Sequence, residues 1–367
     1  MNKKIRAIGA GAVAVLWLTL SLLAWLRPAE DTSLWERRPL AQFPELSGKE
    51  ILSGKFMENF ESFSLDQFPA RDTFRQMKSL FHYYILRQKD INDIYIFQGH
   101  AAKQEYPLNE ESVLYAAQRF EAVWEKYLNE TGSEIYAALI PDKNYYLGQG
   151  SGHLTMDYEK MFSLIRRQMP WAEHIDLTQS LNSDSYYKTD AHWRQEMLLP
   201  AAKLLCQALG MPAPNMEEFS LRELSKPFYG VYYGQAALPM EPDELTVLES
   251  RRLEKCRVYN YATDAYGQVY DFRKENSKDL YDVFLSGPQS LLRIENPNAA
   301  TDRELIIFRD SFGSAIAPLL VSEYKTVTLV DIRYITQDAL EKHIGFNGQD
   351  VLFLYSTSVI NNSSTIK

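Results

Sequence analysis

Two short motifs of this chain contain residue types that combine in nucleophilic catalysis. The first is "KTDAHWRQE" (188–196), in which Asp190 precedes His192 by two positions; the second is the turn "RDSFGS" (309–314), which contains Ser311. A histidine can accept the proton of a serine hydroxyl, and an aspartate on its second ring nitrogen fixes the tautomer and stabilises the imidazolium. Ser311, His192 and Asp190 are therefore a candidate nucleophile, general base and orienting acid.

Each of these residues also has an ordinary structural interpretation. Asp190 is a suitable N-cap for a helix that begins near His192, which would then be a polar residue of the first turn. Ser311 or Asp310 would likewise cap the helix after the second motif. Taken singly, the structural interpretation is favoured for each residue. Taken together, both motifs stand at predicted strand-to-helix transitions, where α/β folds build sites, and the catalytic hypothesis is preferred.

The elements around Ser311 place it at the edge of a sheet. "ELIIF" (304–308) predicts a buried strand and "SAIAPLLVSEY" (314–324) predicts a helix. The turn between them then lies at the carboxyl edge of a parallel sheet. Backbone N–H groups of this turn, beginning with Phe312, are expected to be free to point at a developing oxyanion. Gly313 permits a tight backbone there.

Predicted strands and helices alternate along most of the chain. Helices are predicted at Glu111–Asn129, Tyr158–Gln168, Arg194–Gly210 and "TQDALEKHI" (336–344). Further strands are predicted at "EIYAALIP" (134–141), "HIDL" (174–177), "TVTLVDI" (326–332) and "DVLFLY" (350–355). Such alternation is typical of parallel strands joined by crossover helices. The tyrosine-rich stretch at about 219–298, with "YGVYYGQA", "QVYDF" and "YDVFLSG", instead predicts antiparallel hairpins inserted into the α/β core.

The N-terminus predicts a membrane anchor. Lys3, Lys4 and Arg6 precede an uncharged run of twenty residues, Ala7–Leu26. At about 1.5 Å per residue, a helix of this length crosses a hydrocarbon core about 30 Å thick. The basic residues favour a cytoplasmic N-terminus and a domain outside the cytoplasm, that is, a single-pass protein of the cell membrane. A cleaved signal peptide is the alternative, and it leaves the domain outside the cytoplasm as well.

These features divide the chain into three predicted parts. Residues 1–27 form a cytoplasmic tip and a transmembrane signal anchor, and residues 28–55 form an extracellular linker. Residues 56–367 form the α/β ectodomain, with the β-rich insertion at about 219–298. Two short helices, interrupted at Pro69, are expected at the start of this ectodomain.

Composition narrows the function classes. The 367 residues carry a net charge of −9 and a pI near 5.3, so no nucleic-acid partner is expected. Cys206 and Cys256 show no metal-ligand spacing, and the sequence leaves open whether they form a disulfide. The histidines show no ligand grouping, so neither a metal nor another cofactor is predicted.

Three further residues stand at predicted strand ends. Asp142 and Lys143 follow the strand that ends at Pro141, where they would either line the site or form a solvated turn. Arg333 follows "TVTLVDI", and its planar guanidinium would either bind a uronate or another anionic sugar or form a surface ion pair.

Several motifs taken together resemble the DHHW family of bacterial envelope proteins. The residues that carry the resemblance are "WERRPLAQFP" (35–44), "GKFMENFESFSLDQFPARDTF" (54–74), "IPDKNYY" (140–146), "YKTDAHW" (187–193), "IIFRDSFGSAIAPLL" (306–320) and "LVDIRY" (329–334). They resemble, in this order, the family's E-N-R-x-L-x-x-F-P opening, its helical segment ending in D-x-F-P-x-R, its P-D-K stretch, its D-x-H-W signature, its K-D-S-F turn and its D-x-R-Y strand end. DHHW proteins are similar to the extracytoplasmic alginate O-acetylation proteins, whose domain is SGNH-hydrolase-like.

The resemblance implies a fold, a reaction and partners. The fold would be a three-layer α/β/α domain with Ser311 acylated, His192 as general base and Asp190 orienting it, the acid and base preceding the nucleophile. The activity would be acetyl transfer to, or acetyl removal from, an extracellular polysaccharide, with a membrane-bound O-acyltransferase as a partner. The alternative is a catalytically inactive glycan-binding or assembly protein that supports such a partner. Metal binding by Asp190 and His192 ranks last, because further ligands are missing.

Two features depart from the family pattern. Ala191 stands where D-H-H-W has its first histidine, and Arg309 stands where ordinary SGNH hydrolases have the glycine of G-D-S. By analogy with those hydrolases, an oxyanion hole also needs a glycine and an asparagine. Gly287 in "LSGPQS" and Asn296 in "IENPN" are the candidates for these roles.

Overall fold

The computed structural model describes residues 3–367, which form twelve α-helices and fourteen β-strands. The helices are α1 (Lys3–Leu26), α2 (Gly48–Leu52), α3 (Lys55–Asp66), α4 (Arg71–Leu80), α5 (Glu110–Val123), α6 (Lys143–Ser151), α7 (Tyr158–Gln168), α8 (Leu199–Ala208), α9 (Val231–Ala236), α10 (Arg251–Lys255), α11 (Gly313–Leu320) and α12 (Thr357–Asn361). The strands are β1 (Thr32–Ser33), β2 (Arg38–Pro39), β3 (Ile94–Phe97), β4 (His100–Lys103), β5 (Ile135–Ile140), β6 (Glu173–His174), β7 (Ser220–Glu223), β8 (Thr246–Glu249), β9 (Arg257–Asn260), β10 (Ala265–Gly267), β11 (Leu291–Glu295), β12 (Glu304–Arg309), β13 (Thr326–Val330) and β14 (Asp350–Ser356).

The main sheet has eight strands in the order β10-β9-β11-β13-β12-β14-β5-β6. Neighbours from β13 to β6 pair in parallel, whereas β11, β9 and β10 extend the sheet through antiparallel pairs. All seven residues of the central strand β14 are buried. A strand covered on both faces requires such a continuous apolar run, and for that reason "DVLFLY" could be recognised in the sequence.

Helices cover both faces of this sheet. Ile306 and Phe308 of β12 pack with residues of α5 and α7, whereas Leu305 and Ile307 pack with residues of α8 and α11. Successive side chains of a strand point to opposite faces, so one strand contributes to both apolar layers. The predicted α/β/α class, with a parallel sheet and antiparallel insertions, is confirmed.

The main difference from the predicted elements concerns the stretch "KTDAHWRQE". No helix begins near His192; a 3-10 turn covers Gln195–Met197, and α8 begins only at Leu199. Tyr186 pairs with Trp193 as an antiparallel bridge, and the N–H of Tyr187 donates to the carbonyl of His192 at 3.1 Å. Cross-chain pairing therefore replaces the helical hydrogen bonds, and residues 185–194 form a short hairpin.

The tyrosine-rich region contains the expected antiparallel pairs β7–β8 and β9–β10. "YGVYYGQA" was expected as a strand, but it forms α9. The stretches around "QVYDF" and "YDVFLSG" meet only at a single bridge, Tyr270–Phe284. Alternating aromatic residues are compatible with several backbone conformations when tertiary packing buries them, and here packing overrode the strand propensity.

The chain divides into two compact units. One runs from the N-terminus to Asn92 and includes Tyr233–Pro239; the other comprises Asp93–Tyr232 and Met240–Lys367. The predicted parts 1–27, 28–55 and 56–367 are a different division and stay predictions. Of the first part, residues 1–2 lie outside the described residues.

The unit that contains the N-terminus begins with α1. Its residues Lys4–Leu26 are long and apolar enough to cross a membrane, by length and composition. Beyond α1, Arg38 donates two hydrogen bonds to the carboxylate of Asp66, at 2.8 and 2.6 Å, and Arg71 pairs with Glu36. These bonds connect the segments "WERRPLAQFP" and "DQFPAR". The hydrogen bond from Arg38 lowers the pKa of Asp66 to about 2.

Both cysteines lie in the other unit as buried free thiols. Cys206 and Cys256 pack in the apolar layer on the α8 and α11 face of the sheet. The disulfide that the sequence left open is not present in the described residues.

Candidate active site

Ser311 follows β12 at the carboxyl edge of the parallel part of the sheet. Arg309 and Asp310, which precede it, are fully buried, whereas Ser311 is partly exposed. A Cβ on Gly313 would come within 2.7 to 3.0 Å of three side-chain carbons of Arg309, so a glycine is required where the turn enters α11. The turn thereby places the Ser311 hydroxyl in a partly exposed position directly after a buried strand.

The two motifs meet in one chain of hydrogen bonds. His192 Nε2 lies 2.8 Å from Ser311 Oγ, and His192 Nδ1 lies 2.6 Å from Asp190 Oδ1. An ionised carboxylate only accepts hydrogen bonds, so Nδ1 carries the proton and Nε2 presents its lone pair to the serine hydroxyl. This tautomer is the one that a general base acting on Ser311 needs.

Asp190 is fully buried and its two oxygens have separate roles. Oδ1 accepts from the ring and from the backbone N–H of His192, the latter at 3.0 Å, and Oδ2 accepts from the N–H of Val231 at 2.7 Å. A Cβ on Gly230 would come within 2.3 to 2.5 Å of the backbone and Cβ of Asp190. The carboxylate is thus fixed from both sides, and its expected role as a helix N-cap is wrong.

The imidazole of His192 lies against aromatic rings. The Tyr281 ring stacks on it with a centroid distance of 4.0 Å and an interplanar angle of 16°. The Phe312 ring lies at 4.9 Å on a tilted plane, and Trp193 Nε1–H donates to the carbonyl of Phe312 at 3.0 Å. Burial raises the pKa of the Tyr281 phenol well above its ordinary value, so this ring stays neutral.

Opposite charges hold the backbone just before Asp190. The carboxylate of Asp243 accepts the N–H groups of Lys188 and Thr189, at 2.7 and 2.8 Å, together with the Thr189 hydroxyl at 2.6 Å. On the carbonyl side, Lys143 Nζ donates to Tyr187 at 2.9 Å and to Lys188 at 3.3 Å. Both N–H and C=O groups of this backbone are therefore satisfied by charged side chains, which favours a single loop conformation.

Lys143 and Asp142 do not form a solvated turn, because both side chains are buried; Lys143 instead supports the backbone just before Asp190. Lys143 is only 2% exposed, and burial lowers the pKa of its ammonium to about 7. Asp142 caps α6 through the N–H of Asn144 and also accepts hydrogen bonds from Tyr158 and Thr357, which hold this carboxylate in the interior. Burial raises the pKa of Asp142.

The oxyanion assignment of Phe312 needs a correction. Its N–H is not free, because it donates to Asp310 Oδ1 at 3.0 Å. Asp310 Oδ2 accepts from the N–H and the hydroxyl of Ser356 at the end of β14, so the acid joins the turn to the central strand. Among the described residues, the N–H of Ser311 itself has no hydrogen-bond partner and is the remaining donor of this turn.

The two other oxyanion candidates differ in position. Gly287 lies in a turn with φ of +85°, its N–H donates to Phe284, and it precedes β11. Asn296 follows β11, which runs antiparallel to β13, so it lies at the amino edge of the parallel strands, opposite Ser311. Its amide donates to the carbonyls of Ser322 and Tyr324. Asn296 is therefore a structural residue, and its assignment to the oxyanion hole is wrong.

Arg333 lies at the carboxyl edge but is already occupied. Its guanidinium donates to both oxygens of Asp331, at 2.9 and 2.7 Å. Asp331 is fully buried and also lies 4.0 Å from Arg309, whose pKa is lowered by burial. The guanidinium that was expected to bind a uronate is thus engaged in an ion pair, as in the alternative interpretation, but this pair is largely buried and does not lie on the surface.

Metal binding by this pair has no support in the part of the chain that the structure describes. Within residues 3–367, no three side chains of His, Cys, Asp or Glu are grouped so that they could hold a metal ion. His192 instead uses both ring nitrogens in the chain of hydrogen bonds described above.

Sequence reasoning missed the residues that support this site. Gly230, Tyr281 and Asp243 come from the tyrosine-rich insertion, whose conformation is not periodic, and no local signal marks them. Asp310 was noted in "RDSFGS" only as a possible helix cap, and its partner Ser356 lies 46 positions away along the chain.

Comparison with known proteins shows a family resemblance and a shared fold. A model of the DHHW protein family matches residues 154–330, which include both motifs. The resemblance to the DHHW family is therefore confirmed. No curated protein sequence matches this chain.

Similar solved structures share the fold. A DHHW family protein from Eubacterium siraeum superposes with a TM-score of 0.61 at 20% identity, covering 74% of this chain and 93% of that chain. PatB1 from Bacillus cereus superposes with a TM-score of 0.61 at 18% identity, covering 73% of this chain and 96% of its own. A structure of PatB1 with a sulfonyl adduct gives 0.60 at 17% identity, covering 73% and 97% of the two chains.

Proposed function

We propose that this chain is a membrane-anchored, extracytoplasmic serine enzyme that transfers or hydrolyses O-acetyl groups of a cell-surface or exported polysaccharide. The observation that carries the proposal is the continuous hydrogen-bonded chain from Asp190 through His192 to Ser311 Oγ. A serine hydroxyl alone is a weak nucleophile, and an imidazole whose second nitrogen is fixed by a carboxylate is the arrangement that activates it.

The proposed reaction has two steps. Ser311 Oγ attacks the acetyl carbonyl while His192 Nε2 takes the hydroxyl proton, and the Ser311 N–H donates to the resulting oxyanion. The bond between the acetyl carbon and the oxygen of the acetyl donor breaks, His192 returns the proton to that oxygen, and Ser311 remains acetylated. A second sugar hydroxyl or a water then gives its proton to His192 and attacks the acetyl group, which restores the serine.

The polysaccharide class and the partner rest on the DHHW likeness. We infer an anionic or neutral envelope glycan as acceptor or substrate and a membrane-bound O-acyltransferase as the partner that supplies acetyl groups. α1 would anchor the chain in the cell membrane, with the N-terminus cytoplasmic and the α/β unit extracellular or periplasmic. The basic residues before the apolar run support this orientation.

An acetyl-release assay tests the enzyme proposal. Full-length protein in detergent is incubated with an activated aryl acetate and with an acetylated glycan, beside Ser311→Ala and His192→Ala. We expect each substitution to lower kcat by more than about 10³-fold while thermal unfolding is unchanged. Wild-type turnover no faster than that of the folded variants would favour the non-catalytic glycan-binding alternative.

A covalent probe tests the nucleophile independently of the natural substrate. A sulfonyl fluoride attaches its sulfonyl group to an activated hydroxyl with loss of fluoride, and a sulfonyl adduct is recorded for PatB1. We expect one adduct per chain, at Ser311, and none in Ser311→Ala or His192→Ala by mass spectrometry of the intact protein and its peptides. Labelling at a different residue would refute the assignment of Ser311.

A further inference from the structure

Exposed apolar side chains are concentrated in one short part of the chain. Outside α1, fifteen large apolar side chains are exposed within residues 34–86, whereas eight are exposed within residues 93–367. Single exposed apolar residues are normal on a protein surface, but such a concentration marks an interaction surface. The segment belongs to the same compact unit as the candidate membrane helix α1.

The helices of this segment have almost no buried core of their own. α2 and α3 contain no buried residue, and the only buried residue of α4 is Ser79. Most of the stability of a protein helix comes from packing of its apolar face against other structure. These helices therefore expose the faces that a stable helix normally covers.

The clearest exposed face lies on α4 and the π-helical turn Phe81–Ile85 that continues it. We call this face the α4 stripe; it consists of Phe74, Met77, Phe81, Tyr84 and Ile85, each between 45% and 66% exposed. At about 100° per residue, Phe74, Met77 and Phe81 fall within a sector roughly 60° wide, and Tyr84 and Ile85 follow in the π-helical turn. Such a sector is typical of the apolar face of an amphipathic helix.

The charges around the α4 stripe complement an anionic surface. Residues 71–89 contain five basic side chains and one acidic one, Asp72, whereas the whole chain has a net charge of −9. Arg71 and Arg75 pair with Glu36, and the exposed basic side chains of this segment are Lys78, Arg87 and Lys89. Phenylalanine, tyrosine, isoleucine and methionine on one face, with lysine and arginine beside them, are typical of helices that lie in the headgroup region of a bilayer. Tyrosine is also enriched at this depth of a membrane.

We propose that the α4 stripe lies in the headgroup region of the bilayer that α1 crosses and holds this unit on the membrane surface. The proposal rests on the membrane anchor of the proposed function, but it does not depend on the chemistry at Ser311. The occupant is a lipid bilayer with anionic headgroups, because the apolar stripe and the basic residues match both parts of such a surface.

A fluorescence experiment on the full chain tests this proposal. Met77→Cys and, as a matched control in the other unit, the partly exposed Met216→Cys are each labelled with an environment-sensitive nitrobenzoxadiazole fluorophore. The native Cys206 and Cys256 are buried, so their thiols react only slowly with the labelling reagent. Labelled protein is incorporated into nanodiscs of phosphatidylcholine that contain roughly 30 mol% of the anionic lipid phosphatidylglycerol. Quenching by doxyl-labelled lipid is compared with quenching by aqueous iodide.

We expect the label at position 77 to be quenched several-fold more by doxyl lipid than the label at position 216, and several-fold less by iodide. Omission of phosphatidylglycerol should reduce the doxyl quenching at position 77 only. Equal iodide quenching at both positions, in chains that co-elute with the nanodisc, would overturn the membrane contact and leave the anchor intact. A label at position 77 shielded from both quenchers would overturn it in favour of a protein partner. Failure of both variants to co-elute with nanodiscs would overturn the anchor and the contact together.

Discussion

Gly230 is the position where the smallest substitution should have the largest effect on the site. Replacing it with alanine adds one methyl group 2.3 Å from Asp190 Cβ, 2.4 Å from its Cα and 2.5 Å from its backbone nitrogen. Two of these atoms belong to the backbone, so they cannot move away by a rotamer change. An ordinary carbon contact needs about 3.5 to 4.0 Å, so the two segments must separate by about 1 Å or more.

This separation acts directly on the hydrogen bonds of Asp190. The Val231 N–H bond to Oδ2 measures 2.7 Å and the His192 Nδ1 bond to Oδ1 measures 2.6 Å, so a shift of about 1 Å lengthens one or both beyond hydrogen-bond distance. A displacement of this size in a catalytic group costs about 10²-fold in rate. Overpacking of a buried position also costs about 1 to 3 kcal/mol of unfolding free energy.

The assay measures kcat for aryl acetate hydrolysis together with the midpoint of chemical denaturation. Gly267→Ala is the control, because a Cβ there meets only one atom, the Val258 carbonyl at 3.9 Å. We expect Gly230→Ala to lose about 10²-fold in kcat while it remains folded, and Gly267→Ala to retain wild-type turnover. A folded Gly230→Ala variant with wild-type kcat would refute the argument that Asp190 must stay in its observed position.

Three further predictions concern the surroundings of the site. Tyr281→Leu should lower kcat about five- to tenfold, because the stacked ring stabilises the position and charge of the His192 imidazole by about 1 kcal/mol. Tyr281→Phe keeps the ring and should retain wild-type kcat. Steady-state kinetics of the two variants test this prediction. Asp310→Ala leaves three buried donors without an acceptor and should cost at least about 3 kcal/mol in urea denaturation; a loss below about 1 kcal/mol would contradict its joining role. Burial raises the pKa of Glu105 to about 7. The free energy of unfolding should therefore fall by roughly 3 kcal/mol as the pH rises from 4.5 to 7, because the buried carboxyl must ionise. Glu105→Gln should abolish this fall when urea denaturation is measured across that pH range.

The central sheet could be predicted because its signal is local. β5, β12, β13 and β14 are short continuous apolar runs, and helices α5 and α7 carry an amphipathic period. Burial on both faces of a parallel strand leaves this pattern in the sequence itself. The position of Ser311 followed from it, since a turn after such a strand lies at the carboxyl edge.

The parts that could not be predicted depend on long-range packing. Whether residues 188–193 form a helix start or a hairpin is decided by Asp243 and Lys143, which come from distant segments. The position of Asn296 depended on the direction of β11, and a single strand carries no signal for parallel or antiparallel pairing. The burial of Asp142 likewise required Tyr158 and Thr357 to arrive from two other elements.

The place of β14 in the sheet has a consequence for how the protein acquires its structure during synthesis. This strand follows all the other described strands along the chain, yet it lies between β12 and β5 at the centre of the sheet. A nascent chain that ends before Asp350 already contains Asp190, His192 and Ser311, but β5 and β6 have no strand that connects them to β12. Ser356, which holds the turn through Asp310, is also still missing. Synthesis must therefore pass Ser356 before β14 can join the two halves of the sheet, and this late strand also brings the residue that holds the turn of the nucleophile.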